Sequence, residues 1–488
     1  MKHCSTPEQR IEWTMNILRS PSCHGLISQS SRDHQVSRQT LYRWKQKAEQ
    51  ALKEVFTCRP QPRTHHPEVQ RQVLTLLIEA HASYREIQTC LKSLLGTSVS
   101  LGSVCSIVKQ AGARARAWLC RQHSATARAL ALDEQFSSKR GEAYLNVVDV
   151  HSGQVWASLP PAAVEGESWM IALWDLQAQG VTYDVTVSDG GNAIHEALKE
   201  LGQLWQHQRD VWHLFHLAAT IQGRVETAVE QEEHRLHTIR GYEERKVRGE
   251  RFSGRPPKTT LAMQEHLVSH LLNVWEAVAY LFQQFHQLLD VVIIDATSTS
   301  GLLSAPGRQA ELETLVSLLF DLEEQVPTSL KSDLHLIARQ MQLALPSLLH
   351  FTHPLESRHQ QALQALGKQA LQVIAWAWQR RKILGPDLKT LLQGFAPAWR
   401  PIAQVLCEGW SQAVRASSVV ENWHSILRPH LAVHRTLSAN LLALLAVWHN
   451  HRIVPRGPHV GLSPLQRSQA DHIEADWLTV LGYLPATA

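Results

Sequence analysis

The spacing of apolar residues along the chain changes near residue 126. Before it, apolar side chains recur every three or four residues, as Val73, Leu76 and Leu77 do. That period predicts amphipathic helices up to about residue 120. From residue 126 the period becomes two, which predicts strands. Three strand candidates follow one another, over 129–133, 143–149 and 154–159.

Helices and strands then alternate. The pattern predicts a helix over 168–179 that ends at Gly180, a strand over 183–188, a helix over 193–201 and a short strand over 209–215. Three strands followed by helix, strand, helix and strand are in the element order of an RNase H-like core. The expected fold class is therefore α/β. It combines an RNase H-like core (a mixed five-stranded sheet) with a large all-α insertion and N-terminal all-α helix-turn-helix domains.

The rest of the chain has mainly helical spacing. Residues 218–410 are rich in Leu, Ala, Gln and His, and their apolar stripes indicate packed helices. Two further helices are predicted from Glu421 to about His449. We expect a first helix-turn-helix domain over 1–58, a linker over 59–66, a second helix-turn-helix domain over 67–120, the first part of the core over 126–217, a helical insertion over 218–410, the last part of the core over 411–455, and a tail over 456–488.

A basic helix is predicted near residue 40. Ser37 can cap it, and a short helix and turn around 27–34 precede it. This arrangement is typical of a helix that enters the DNA major groove, although an amphipathic surface helix is the alternative. Helices that open near Ala82 and Val99 form a second candidate of the same kind. The exposed basic side chains expected on the first helix are Arg38, Arg43 and Lys45.

Composition narrows the possible locations and partners. Charged residues make up only 19% of the 488 residues, and the formal net charge is +4. No uninterrupted apolar run reaches about 18 residues, and the N-terminus lacks the apolar segment of a secretory signal. Seven scattered cysteines without a Cys-x-x-Cys pair indicate reduced thiols, so we expect a cytoplasmic protein. Basic residues concentrate in 114–128 and 235–258, which is compatible with a nucleic-acid partner.

Three carboxylates stand where the predicted fold could gather them. Asp133 ends a strand, Asp189 precedes a Gly-Gly turn, and Glu421 opens a helix. Together they could hold two divalent ions, Mg²⁺ or Mn²⁺, for phosphodiester chemistry. Alternation along a strand sends Asp133 and Glu134 to opposite faces, so only one can join the cluster. The alternatives to metal binding are that Asp189 only stabilises a turn, and that Glu421 only interacts favourably with the dipole of its helix from the first turn.

Motifs surround each of these acids. Residues 132–141 contain Asp-Glu and a short basic turn, and 144–153 end in Asp-x-x-Ser-Gly. Asp189 is followed by Gly-Gly-Asn-Ala-Ile, and residues 210–213 are Asp-Val-Trp-His. Glu421 has an arginine seven residues further on. In this order, the motifs resemble those of DDE transposases of bacterial insertion sequences that carry a helical insertion in an RNase H-like core.

The resemblance implies roles for individual residues. Asp133, Asp189 and Glu421 would be catalytic and hold the metals, with Glu134 as a supporting or surface acid. Asp210 and His213 would brace the site, or form a buried structural hydrogen bond. Arg428 would hold a DNA phosphate, or form an ordinary ion pair with Glu421. In such enzymes a tryptophan of the insertion can stack on a displaced base. The candidates, each also a possible core residue, are Trp275, Trp376 and Trp378.

A basic loop over 253–258 is similar to the Gly-Arg-Pro cores that enter A·T-rich minor grooves. Arg255 and Lys258 could contact phosphates there, and a plain flexible basic loop is the alternative.

The function implied by the resemblance is DNA transposition in a prokaryotic cytoplasm, near the nucleoid. The chain would bind element ends and target DNA as double-stranded partners, cleave one strand and join the free 3′-hydroxyl to the target. Paired ends imply a homodimer or a larger synaptic assembly. Two alternatives remain: a non-catalytic DNA-binding protein derived from a transposase, and an RNase H-like nuclease that acts on RNA or hybrids.

Overall fold

A computed structural model describes residues 6–20, 25–57, 66–121, 126–251, 255–384, 387–457, 459–469 and 476–484. The chain divides into two compact units, Met1–Gln70 and Arg71–Ala488. The fold is mixed α/β, with many helices and one mixed sheet. Among the described residues, we find no helix with the length and apolar character needed to cross a lipid bilayer.

The described residues of the first unit form three complete helices. They are α1, Pro7–Arg19; α2, Leu26–Asp33; and α3, Arg38–Thr57. Ser37 caps α3 as predicted, because its hydroxyl accepts a hydrogen bond of 3.1 Å from the backbone N–H of Thr40. Leu41 is fully buried on the inner face of α3. The helix, turn and helix expected over 27–45 are therefore present, and DNA binding by α3 stays a prediction.

A second group of helices precedes the sheet. They are α4, Pro67–Ile78; α5, Tyr84–Leu95; and α6, Leu101–Arg121. α5 begins after Ser83, whose side chain forms a capping box with Glu86. α5 ends at Gly96, which adopts the left-handed conformation with a φ of 63°. α5 and α6 each begin two residues after the positions predicted for them, Ala82 and Val99.

The sheet has six strands in the described part of the chain, one more than predicted. They are β1, Thr126–Phe136; β2, Glu142–Asp149; β3, Val155–Ser158; β4, Ala162–Ala163; β5, Thr182–Ser188; and β6, His207–Arg209. The order is β3-β2-β1-β5-β6, and β4 pairs with β2. β2 is antiparallel to β1 and β3, whereas β5 is parallel to β1 and β6. The short β4 was missed because two alanines carry no alternating pattern.

The last strand prediction, over 209–215, was wrong in position. β6 ends at Arg209, and the helix α9 begins at Val211. The reason is the intervening Asp210, whose side chain accepts hydrogen bonds from the N–H groups of Trp212 and His213 and so caps a helix. The apolar residues after it lie on a helix, not on a strand.

One face of the sheet packs against two helices, α7, Gly166–Ala178, and α8, Asn192–Glu200. Leu130 and Leu132 of β1 point to this face and pack in one cluster with Trp169 and Leu173 of α7. A short 3₁₀ helix, Leu204–Gln206, connects α8 to β6. The predicted alternation along β1 is therefore confirmed, with even-numbered residues facing α7.

Helices form nearly all of the segment between β6 and residue 411. They are α9, Val211–Val247; α10, Leu261–Leu288; α11, Ala305–Glu323; α12, Thr328–Leu348; α13, His353–Leu366; α14, Lys368–Leu384; α15, Leu388–Gln393; and α16, Arg400–Ser411. Their apolar stripes share one core, which includes Phe282, Phe285 and Trp410. An isolated β-bridge joins Ile294 to Leu302. This segment is helical as predicted, and its first helix begins at Val211, before residue 218.

Two helices then return to the sheet, followed by two short ones. They are α17, Ser418–Val433; α18, Ala439–His451; α19, Pro464–Ser468; and α20, Trp477–Val480. The side-chain amide of Asn450 pairs with both backbone groups of Val155, at 2.8 and 3.0 Å, which fixes α18 on β3. α6 packs closely on α18, with Gly112 against Asn440. Cys90, Cys105, Cys120 and Cys407 are free thiols; Cys4, Cys23 and Cys58 lie outside the described residues.

Candidate active site

Asp133 and Asp189 occupy equivalent positions on neighbouring parallel strands. β1 and β5 are in register at Ala131 and Val187, and each aspartate stands two residues beyond this pair. Parallel strands lie about 4.8 Å apart, so continuing the register brings the two aspartates side by side at the carboxyl edge of the sheet. Sequence analysis correctly predicted that β5 ends just before Asp189, but the prediction that Asp133 ends its strand was wrong, because β1 continues to Phe136. The pairing of β1 with β5 brings the two aspartates close together.

Asp133 and Glu134 point to opposite sides of the sheet. The carboxylate of Glu134 accepts a hydrogen bond of 2.7 Å from the indole N–H of Trp169 in α7. Burial raises the pKa of Glu134, and the charge of Asp189 adds to this. Asp133 instead faces α17. Glu134 is thus tied to the helical face of the sheet, on the side away from Asp133.

α17 places Glu421 and His424 opposite Asp133. One potential ligand atom from each of these three side chains lies within 4.8 Å of the others, so the group could hold a metal ion. His424 comes one helical turn after Glu421, which directs both side chains to the same side of α17. Asp189 is outside this tightly spaced group. The structure therefore gathers two of the three predicted acids with a histidine, and places the third acid on the adjacent strand.

The acidic cluster carries an electrostatic cost. Burial raises the pKa of Asp133 to about 7, and the charges of Asp189, Glu421 and Glu134 contribute in the same direction. A hydrogen bond of 2.8 Å from the backbone N–H of Glu134 opposes this rise. Carboxylate oxygens are the ligands that Mg²⁺ and Mn²⁺ prefer, and a bound dication would remove the repulsion. The donor set therefore fits such an ion.

A buried network fixes the ring of His424. The amide oxygen of Asn146 accepts from the indole N–H of Trp423 at 2.9 Å and from the hydroxyl of Ser158 at 2.8 Å. Its NH₂ group lies 3.2 Å from the carbonyl oxygen of Tyr144 and 3.2 Å from Nε2 of His424. Because indole only donates and a carbonyl only accepts, the amide orientation is determined, and Nε2 of His424 must accept.

The proton of the neutral His424 ring therefore resides on Nδ1. Burial lowers the pKa of this ring to about 4, so it is neutral at pH 7. Nδ1 faces Oδ2 of Asp133 at 3.8 Å. A metal ion at Nδ1 would require the other tautomer, with the proton on Nε2. The Nε2–H group would then face the NH₂ group of Asn146, and two hydrogen-bond donors would lie opposite each other without an acceptor. His424 is accordingly suited to orient Asp133, and the acids are better suited to hold the ion.

Asp189 lies in a tight turn between β5 and α8. Its Oδ1 accepts a hydrogen bond of 2.9 Å from the backbone N–H of Gly191. Gly190 has a φ of 75°, a conformation that favours glycine. The turn role considered for Asp189 is therefore real, and it leaves the second carboxylate oxygen, Oδ2, for another partner.

Glu421 forms an ion pair with Arg428, as their spacing predicted. Nη2 of Arg428 lies 3.0 Å from Oε2 of Glu421, and both side chains are largely exposed. Exposed pairs of this kind contribute about 0–1 kcal/mol, so Arg428 can exchange its partner at little cost. The guanidinium is thus available to a phosphate beside the acids.

Asp210 connects the sheet to α17. Its Oδ1 caps α9, and its Oδ2 accepts hydrogen bonds from the backbone N–H of Ser417, at 2.7 Å, and from the Ser417 hydroxyl. The backbone N–H of Asp210 itself donates to the carbonyl of Ser188 in β5. His213 lies 3.8 Å from the same carboxylate. Asp210 thereby braces the start of the helix that carries Glu421.

The other basic side chains predicted to contact DNA differ in their exposure to solvent. Arg38 and Arg43 are exposed on α3, whereas Lys45 is half-buried and pairs with Glu49 at 3.8 Å, so the prediction of full exposure was wrong for Lys45. Arg255 and Lys258 are exposed, and Ser253 and Gly254 of that loop lie outside the described residues.

The tryptophans of the helical segment differ in environment. Trp378 is buried in the core against Trp410, as expected of a packing residue. Trp275 is half-buried against the same core. Trp376 is 52% exposed, so a core assignment is wrong for it. Arg380 lies over its ring, 5.5 Å from the centroid, and covers part of one aromatic face.

Sequence reasoning missed His424 and Arg209. The Glu-x-x-His spacing from Glu421 to His424 is visible in the sequence and could have indicated a shared helix face. No local pattern indicated Arg209, because the residues near its guanidinium, Gly190 and Gln340 of α12, are distant from it in the sequence.

We found no match to this chain among models of known protein families or among curated proteins.

Proposed function

We propose that this chain is a DDE-type transposase, an enzyme that binds element ends and catalyses metal-dependent DNA strand cleavage and strand transfer. The observation that carries the proposal is the meeting of Asp133 with Glu421 and His424 within 4.8 Å, with Asp189 on the adjacent strand end. Strands β1 to β3, a helix, β5, a helix and β6 follow the order of an RNase H-like core, which supports that assignment of the sheet.

In this proposal the acids hold divalent ions, Mg²⁺ or Mn²⁺. Two such ions, when bound, promote deprotonation of the attacking hydroxyl and stabilise the leaving oxygen. Asp133 and Glu421 would hold one ion, and the free oxygen of Asp189 would contribute on the neighbouring strand. His424 would keep Asp133 oriented, and Asp210 would keep α17 in place. Arg428 would leave Glu421 to bind a phosphate of the DNA.

Basic residues outside the sheet would bind the duplex. Arg38 and Arg43 would contact the element ends through α3, and Arg255 and Lys258 would contact phosphates in a salt-dependent way. Synapsis of two ends would require a dimer or a larger assembly of this chain.

The test is cleavage of a supercoiled plasmid that carries the DNA flanking this gene. Wild-type protein should cut at the element boundaries only with Mg²⁺ or Mn²⁺. Asp133→Asn, Asp189→Asn and Glu421→Gln should each reduce the cleavage rate at least about a hundredfold while duplex binding persists. Asp184→Asn, an exposed aspartate earlier on β5, is the matched control and should cleave like wild type.

Two other results would replace the proposal. Binding of the flanking DNA without cleavage under any metal would indicate a non-catalytic DNA-binding protein. Preferential cleavage of an RNA–DNA hybrid over duplex DNA would indicate an RNase H-like nuclease.

A further inference from the structure

Asp133, Asn146 and Ser158 form one row across three strands of the sheet. Asp133 of β1 is the cross-strand partner of Asn146 of β2, and Asn146 is the partner of Ser158 of β3. Residues directly opposite each other on paired strands point to the same face of a sheet. α17 covers this face, so the carboxylate of Asp133 and the amide of Asn146 meet the same helix.

Asn146 contacts two consecutive residues of α17. Its amide oxygen accepts from the indole of Trp423, and its NH₂ group points to Nε2 of His424. Asn146 is completely buried, and a buried amide that lost either partner would carry the full cost of desolvation. The orientation of the amide is therefore fixed, and only an accepting Nε2 fits beside its NH₂ group.

This arrangement decides which atoms can bind an ion. Asp133, Glu421 and His424 each offer one potential ligand atom, and these atoms lie within 4.8 Å of one another. An imidazole added to carboxylates favours ions such as Zn²⁺, Fe²⁺ or Ni²⁺. A ring nitrogen binds a metal through its lone pair, whereas Nδ1 of His424 carries the ring proton because Nε2 accepts. Only the carboxylate oxygens of this group are therefore free to bind an ion.

The polarity of Asn146 is the reverse of what a metal-binding histidine needs. Such a histidine commonly donates its other ring N–H to a carboxylate or a carbonyl, which fixes the ring and raises its basicity. Asn146 presents a donor in that place. Since carboxylate oxygens suit Mg²⁺ and Mn²⁺, withholding the imidazole removes the additional affinity that it would give Zn²⁺.

We propose that Asn146 determines the ion preference of the acidic site, by holding the ring of His424 in the tautomer whose Nδ1 cannot bind a metal. The site then takes Mg²⁺ or Mn²⁺ through oxygen atoms and disfavours Zn²⁺. Here, as in the proposed function on which this role rests, the acids bind an ion. A purely structural asparagine could be replaced without any change in the ligands of that ion.

The variant Asn146→Asp tests this role. Its carboxylate would accept from Nε2–H of His424, and the ring would then present the lone pair of Nδ1 to the ion, as zinc-binding histidines do. The contacts from Trp423 and Ser158 can be kept, because both donate to residue 146. The hydrogen bond to the carbonyl of Tyr144 is lost, so the melting temperature should fall.

Pulsed electron paramagnetic resonance with substoichiometric Mn²⁺ reports nitrogen ligands directly. Wild type should show no coupling to a directly bound nitrogen nucleus. Asn146→Asp should gain such a coupling, and isotopic labelling of histidine nitrogen should change it. Calorimetry should show that the ratio of Zn²⁺ to Mg²⁺ affinity rises about tenfold in the variant. Asp133→Asn should weaken Mn²⁺ binding, which places the measured ion at the acids.

Asn422→Asp is the matched control. It introduces the same carboxylate on α17 next to Glu421, but residue 422 is exposed. This variant should show no nitrogen coupling, and its ratio of Zn²⁺ to Mg²⁺ affinity should stay within about twofold of wild type, because exposed charges are screened. A rise equal to that of Asn146→Asp would mean that added charge alone changes the preference, and the role of Asn146 would be overturned.

The results separate this role from the proposed function. Histidine coupling in wild type would overturn the role, even where Mg²⁺ supports cleavage of the flanking DNA. This measurement needs no variant, so it decides even if Asn146→Asp fails to fold. A folded Asn146→Asp without nitrogen coupling would overturn the role as well. If wild type has only oxygen ligands and Asn146→Asp gains nitrogen while no metal supports cleavage of the flanking DNA, the role stands and the transposase proposal fails.

Discussion

The carboxylate of Asp210 accepts a hydrogen bond of 2.7 Å from the backbone N–H of Ser417, which lies 207 residues further along the chain. Asp210 itself follows β6, and Ser417 immediately precedes α17. A single buried side chain therefore sets the position of the helix that carries Glu421 and His424 relative to the sheet that carries both aspartates.

Replacing Asp210 with Ala should lower the free energy of unfolding by about 2–4 kcal/mol. The change removes a helix cap and leaves the buried N–H of Ser417 without a partner. Asp387→Ala is the control, because Asp387 caps only the short helix α15 and is exposed. It should cost about 1 kcal/mol. Urea unfolding measures both, and equal losses would show that the link to α17 is unimportant.

Stability should depend on the protonation of Asp133. Its pKa is about 7 in the folded protein and about 4 in an unfolded chain, so the folded state holds this proton more tightly. The resulting stability is fully present below pH 4 and is lost as the pH rises through 7. Asp133→Asn, which mimics the protonated acid, should lack this loss. Melting temperatures of both proteins between pH 5 and 8 in EDTA, with Asp184→Asn as control, test it; parallel curves would refute the assignment.

Magnesium should reverse that loss. At pH 8, Mg²⁺ at about a hundred times its dissociation constant should stabilise the wild-type protein by about 2.7 kcal/mol, because only the folded state gathers the acids. Asp133→Asn and Glu421→Gln should show little of this gain. Calorimetric melting with and without EDTA provides the measurement. A full gain in both variants would place the ion elsewhere.

Replacing Asn146 with alanine should destabilise the protein far more than replacing Asn422, an exposed asparagine on α17. Asn146→Ala leaves the indole of Trp423 and the hydroxyl of Ser158 unpaired in the interior, and frees the ring of His424. We expect a loss of about 2–4 kcal/mol in the free energy of unfolding. Asn422→Ala should change it by less than about 0.5 kcal/mol. Similar values for the two variants would contradict the described network.

Two glycines of α6 should respond to alanine in opposite directions. A Cβ at Gly112 would lie 2.4 Å from Cβ of Asn440 and 2.7 Å from its carbonyl oxygen, so Gly112→Ala must move α6 away from α18. This should cost about 1–3 kcal/mol. At Gly102 the nearest atom is 3.9 Å away, and Gly102→Ala should gain up to about 1 kcal/mol of helix propensity. Melting temperatures that shift in the same direction would refute the close contact.

The sequence could predict local features of the site but not the partners that come from distant segments. The strand around Asp133 follows from local alternation, although its continuation to Phe136 was missed, and the end of β5 before Asp189 follows from the glycines after it. The helix at Glu421 and its pairing with Arg428 follow from helical spacing. The start of α9 after Asp210 was missed because the apolar residues that follow fit both a helical and a strand period. Only the helix cap formed by Asp210 distinguishes the two. The contact of Arg209 with Gln340 joins residues 131 positions apart, and no local pattern encodes it.

The position of Glu421 has a consequence during synthesis. It follows Asp189 by 421 − 189 = 232 residues. At about 5–20 residues per second, a ribosome needs roughly 12–46 s to add them. Throughout that interval the nascent chain has both aspartates but lacks Glu421, so the group of acids is incomplete. A transcript broken before that codon would yield only a protein in which the acidic group is incomplete.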